Sequence, residues 1–224
     1  MNKDEHDTFR KWSKFLKASE TNNTPTINRF IARYQFSRKY RGIDADLKEE
    51  TLNGYSKIFH VFLAHSAFDA LIKGVDELAK REEFPIVVDI KMNKNNHLMI
   101  DDEIAIELRK VKGMGQILTA YADNHIRIAR LKAFYNIDYT ESELQNVDLM
   151  KARDSVKNSN NLLVVASAIR NLVAHGQLSA TGANVIKKKN AKAIENLAKF
   201  VEFKTIELFK LYVDALIAKY VSAK

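Results

Sequence analysis

Apolar residues recur every three to four positions along most of this chain, the period of helices that bury one face. Two helices are predicted in the first 41 residues, separated by Ser19 to Thr26. Phe9, Trp12, Phe15 and Leu16 stripe the first, and Ile27, Phe30, Ile31 and Tyr34 the second, with Pro25 near its start. A long periodic helix is predicted over 51–80, apolar at Tyr55, Ile58, Phe59, Phe62, Leu63, Ala70 and Leu71. Between 85 and 100 the period changes. Pro85 to Met92 is β-branched and extended in character and Asn93 to Asn96 supplies a turn, so a short β-hairpin or an irregular insertion fits equally well.

Asp101, Asp102 and Glu103 suit the positive end of another helix, running toward Tyr135 and loosened by Gly113 and Gly115. Residues 137–159 are polar and acidic, a loop or short helix. A final helix is predicted from Lys189 to Val221, with Ile194, Leu197, Val201, Leu208, Val213, Leu216 and Ile217 as its core positions. The fold class is all-α: a helical bundle over 46–224 preceded by a basic helical extension over 1–45.

Composition narrows the chemistry. With 46% hydrophobic residues in 224 there is material for a substantial core, and 7 Gly with 2 Pro are too few for a loop-rich β protein. Cysteine is absent, which removes disulfides, thiol nucleophiles and cysteine metal sites. No apolar run suggests a membrane span and the amino terminus is charged, so a cytoplasmic location is expected. No cofactor is implied.

One octapeptide, 169–176, departs from the apolar pattern. Residues 162–169 form the most apolar helix-like run in the chain, and Arg170, Asn171 and His175 interrupt its continuation, ahead of Gly176. Polar groups in apolar surroundings cost free energy unless partnered, so their presence calls for a reason. At about 100° per residue, Asn171 and His175 share a helical face. Arg170 sits about 100° round from Asn171 and roughly 7.5 Å along the axis from His175, so the three can converge on one small ligand. Gly176 marks the helix end and places His175 in the last turn. An arginine fork on a phosphate beside such a histidine suits phosphodiester cleavage. A satisfied polar cluster in a core is the alternative.

Arginine, a polar residue, several intervening residues and then histidine is the pattern by which this segment resembles the HEPN family. Residues 55–72, with Ser66, Ala67 and Phe68 followed by the acidic Asp69, resemble the first long helix of HEPN domains. The resemblance implies a homodimer in which two such Arg-His helices build a composite cleft, and metal-independent endoribonuclease activity of a toxin or defence kind. It further implies that Arg170 holds the phosphate, Asn171 orients it or the imidazole, His175 transfers protons, and Asp69 approaches the pair. RNA, and an antitoxin or regulatory protein, would be the partners. A non-catalytic HEPN-like module that binds RNA, a nucleotide or a protein, or a structural dimer, fits the same residues.

Charge distribution adds a second theme. Residues 1–41 hold ten basic against four acidic side chains, and the segment from Lys187 onward nine against four, leaving the middle slightly acidic within a net charge of +8. Two basic ends suit a nucleic-acid path, though they equally suit a solubilising surface. Arg29, Arg33, Arg38 and Arg41 interleave with Tyr34, Phe36 and Tyr40 as in a single-strand clamp, while aromatics at helical spacing also suit a core. Other signals are weaker. His65 and Asp69 share a helical face but make an incomplete metal set, Ser167 lacks a nucleophile elbow, and Gly113 to Gly115 is too short to cradle a phosphate.

Overall fold

The computed structural model describes residues 3–18, 25–79, 101–111, 113–118, 162–176, 178 and 187–222. Six helices are defined there: α1 (Lys3–Ala18), α2 (Pro25–Lys39), α3 (Glu49–Ala79), α4 (Asp102–Arg109), α5 (Leu162–Ala174) and α6 (Lys188–Ser222). No strand occurs among the described residues. The all-α class therefore stands. The hairpin expected over 85–100 and the polar segment at 137–159 lie outside the described residues.

The chain divides into two compact bodies. The first gathers residues 1–41, 63–99 and 198–224, the second 42–62 and 100–197, so α3 and α6 each contribute to both. In the first body the predicted stripes of α1 and α2 form the core with α3 and α6. Trp12, Phe15, Ile27, Phe30, Tyr34, Leu71, Phe209 and Tyr212 are buried in one cluster, and Phe9, Leu16, Ile31, Leu208 and Ile217 pack on its margin. Phe209 sits at its centre, with ring centroids 4.9 Å from Phe30, 5.7 Å from Phe9 and 5.9 Å from Trp12, two of them edge-on as aromatic quadrupoles favour. Gly74 lets α2 approach α3 closely: a Cβ there would lie 2.6 Å from Ile27 Cδ1 and 3.3 Å from the Ile27 backbone nitrogen.

A charged network is also buried in this body. Arg38 lies 3.2 Å from Glu5 on α1 through Nε and 3.2 Å from Glu202 on α6 through Nη1. The Tyr34 hydroxyl donates to Glu5 at 2.8 Å, and the Ser37 hydroxyl donates to Glu202. Both carboxylates are nearly inaccessible, at 4% and 2%. Burial by itself would lower the Arg38 pKa, and Glu202 and then Glu5 more than offset that, holding it above its ordinary value. One cation thus ties three helices through two carboxylates. Burial, reinforced by Glu5, likewise raises the Tyr34 pKa, and burial raises that of Tyr212.

In the second body, Asp101 caps α4 by accepting from the Ile104 backbone N–H at 3.0 Å, as its acidic start predicts. The helix ends at Arg109, and residues 114–118 are helical again after a turn. A single helix through this point is therefore not formed; Lys110, Val111 and Gly113 are non-helical. The early turns of α6 are linked to the body by Lys57–Glu195 at 3.3 Å and Asn196–Glu107 at 3.2 Å. Gly42, at φ 122°, turns the chain toward α3, where the Ile43 N–H donates to Ser56 Oγ at 2.9 Å.

Glu49–Val75 is long and apolar enough to cross a bilayer by composition, but 67% of its most apolar window is buried inside the molecule, as in a core helix.

Candidate functional site

Helix α5 is built as its apolar run predicts. Leu162, Val165, Ala166, Ala168, Ile169 and Leu172 are buried at 0–4% exposure, a stripe with helical spacing. The polar residues sit elsewhere. Arg170 and Asn171 are half-buried and His175 is exposed, so the cluster occupies the margin and end of the helix rather than the core. Helical rotation explains this, because 170 and 171 turn away from the face carrying 165, 169 and 172, and the helix stops before 175.

The helix ends at Ala174, one residue earlier than expected, so that His175 is the first residue beyond it. The last turn is closed by His175 N–H donating to the Asn171 carbonyl and Gly176 N–H to that of Val173, both at 3.0 Å. Gly176 has φ 64°, the left-handed conformation that an L side chain disfavours. The glycine takes the left-handed turn that closes the helix directly after His175.

Two of the predicted residues meet directly. Arg170 Nη1 donates to Asn171 Oδ1 at 2.7 Å, a contact between consecutive side chains, which do not normally face one another on a helix. The guanidinium is thus drawn round toward Asn171. With its carbonyl oxygen engaged, the Asn171 amide has its NH₂ left for donation, so the pair presents hydrogen-bond donors, the set that suits an anion. His175 stands one helical turn past Asn171, in solvent.

Asp69 belongs to the first body, where its carboxylate lies 3.6 Å from His65 Nδ1 one turn earlier on α3. His65 is buried, with its ring 6.1 Å from that of Phe68. The described residues contain no group of three or more His, Cys, Asp or Glu placed to hold a metal. His97 and His125 lie outside the described residues.

At the start of α6 the sequence places Lys187, Lys188 and Lys189, all exposed, with no acidic residue in the first turn. Cations at the positive end of a helix are electrostatically unfavourable, so this cluster opposes the stability of its own helix. The lysines share the second body with α5. By sequence they count only as part of a basic tail, and the start of α6 beside them is marked by the apolar period rather than by any acidic first turn.

The single-strand clamp expected on α2 is corrected in part. Tyr34 is fully buried and bonded to Glu5, and Arg38 is committed to Glu5 and Glu202, so neither is available to a ligand. No protein-family profile matches this chain, and neither a curated protein nor a solved structure matches it.

Proposed function

We propose that the chain is a HEPN-like endoribonuclease that cleaves RNA without a metal, through Arg170, Asn171 and His175. The observation that carries this reading is the end of α5, where a guanidinium bonded to Asn171 lies five residues before a solvent-exposed histidine that Gly176 follows in the left-handed turn. The side-chain donors of Arg170 and Asn171 suit a phosphate, against the negative dipole of the helix C-terminus beside them, and the imidazole five residues on suits proton transfer. The exposed lysines at the start of α6 further favour an anionic partner in the same body.

In the proposed reaction His175 takes the proton from a ribose 2′-hydroxyl, and the 2′-oxygen attacks phosphorus. The bond from phosphorus to the 5′-oxygen breaks, and that oxygen takes a proton from a second imidazolium. A second copy of the chain supplies it in a composite cleft. Arg170 neutralises charge on the non-bridging oxygens as it develops, and Asn171 keeps the guanidinium in position. The products are a 2′,3′-cyclic phosphate and a 5′-hydroxyl. The resemblance alone suggests a role for Asp69, which belongs to the first body. A toxin or defence role in the cytoplasm, restrained by an antitoxin or regulatory protein, is part of the same proposal.

The test is incubation of purified protein with mixed RNA in excess chelator, beside Arg170→Ala and His175→Ala. Cleavage by the wild type that both substitutions abolish supports the reading. Cleavage that survives His175→Ala refutes it, and RNA binding without cleavage favours a non-catalytic binding module.

A further inference from the structure

With Tyr34 and Arg38 withdrawn into the core, the remaining side chains of α2 separate into two faces. Ile27, Phe30, Tyr34 and Ser37 point inward, whereas Arg29, Ala32, Arg33, Phe36 and Lys39 are exposed. On a helical projection those five span an arc of about 120°. Phe36 is 58% exposed in the midst of three cations. The chain has no acidic residue between Glu20 and Asp44, so α2 contains nothing to neutralise the stripe. Arg33 makes one long contact, 3.4 Å from Nη1 to the Ser66 carbonyl.

We propose that the outward face of α2, Arg29, Arg33, Phe36 and Lys39, binds single-stranded nucleic acid, with a base stacked on Phe36 and phosphates on the three cations. An exposed ring among cations offers a π-face to an unpaired base, which a duplex does not expose. From Arg29 to Lys39 the helix rises about 15 Å, enough for roughly four nucleotides of a stacked strand at about 3.4 Å each. An anionic membrane fits less well, because a helix lying in a membrane needs its apolar face there, and that of α2 is spent on the core. This face is independent of Arg170 and His175.

The probe is fluorescein-labelled oligodeoxythymidylate of about 12 nucleotides, within the usual footprint of such surfaces, followed by anisotropy. It lacks the 2′-hydroxyl that the proposed cleavage needs, so binding is read apart from catalysis. Expected are preference for the single strand over a hairpin duplex and a slope of log affinity against log salt near −2, from about −0.7 per neutralised phosphate. Arg29→Gln with Arg33→Gln removes about two-thirds of that slope. Phe36→Ala weakens binding by about 5- to 150-fold at unchanged slope, while Phe36→Tyr restores it. Trp12 fluorescence reports that each variant is folded. No binding at low salt, binding indifferent to these substitutions, equal affinity for the duplex, or association confined to phosphatidylserine vesicles overturns the proposal.

Discussion

Replacing Arg38 by Met tests whether the buried charge network holds the first body together. The substitution keeps much of the apolar stem but removes the cation that faces Glu5 and Glu202, each at 3.2 Å. Two carboxylates at 4% and 2% exposure then remain without that cation, with the neutral donors Tyr34 on Glu5 and Ser37 on Glu202 still in place. Removing one partner of a buried ion pair costs about 3–5 kcal/mol. The Arg38 side chain is itself 31% exposed, so water reaches the vacated position, and about 2–4 kcal/mol is the better figure. Against a total stability of about 5–15 kcal/mol, that loss is large. Urea unfolding followed by Trp12, the single tryptophan and a buried member of this core, measures it directly. Adding Glu5→Gln and Glu202→Gln to Arg38→Met recovers most of the loss, because the hydrogen bonds remain and the uncompensated charge is gone. A single variant within about 0.5 kcal/mol of wild type, or a triple variant no better than the single, rules out this role for the network.

Alkaline unfolding is expected from the buried tyrosines. Their folded pKa values are raised, so the stability they contribute is intact below about pH 10, the unfolded value, and is lost as pH rises above it. Each gives a slope of up to about 1.4 kcal/mol per pH unit; Tyr212→Phe, whose hydroxyl has no partner among the described residues, flattens the slope measured by urea titration at successive pH values. Gly176→Ala destabilises by about 1 kcal/mol through backbone strain alone, since nothing lies within 4 Å of the added Cβ, and a cost no greater than that of an ordinary surface substitution contradicts this. Replacing Lys187, Lys188 and Lys189 by Glu raises the thermal midpoint at low salt while weakening RNA binding, opposite signs that a merely solubilising cluster does not produce.

Much of the helical framework is legible in the sequence because amphipathic period is a local property. The stripes of α1 and α2 are core or core margin, and the ends predicted for α3 and α6 fall within two residues of those observed. Side-chain commitments are not legible, because they depend on partners distant in the chain. By sequence Arg38 is one more surface cation, yet it answers Glu202, which stands 164 positions away among Phe200, Val201 and Phe203. Tyr34 and Phe36 both stand among arginines, but the apolar period puts only Tyr34 on the inward stripe, and the packing of α2 buries that ring and leaves Phe36 exposed. At α5 the apolar run makes the polar residues look like intruders in a core, whereas helix rotation and the stop at Gly176 carry them to its edge.

The chemistry assigned to Arg170 and His175 can be read from the termini of the RNA that the protein produces in chelator. The proposed mechanism requires 2′,3′-cyclic phosphate and 5′-hydroxyl ends by mass spectrometry, and no scission at a site whose ribose carries a single 2′-deoxy substitution. Cleavage at that deoxy site, or products ending in 3′-hydroxyl and 5′-phosphate, is incompatible with it.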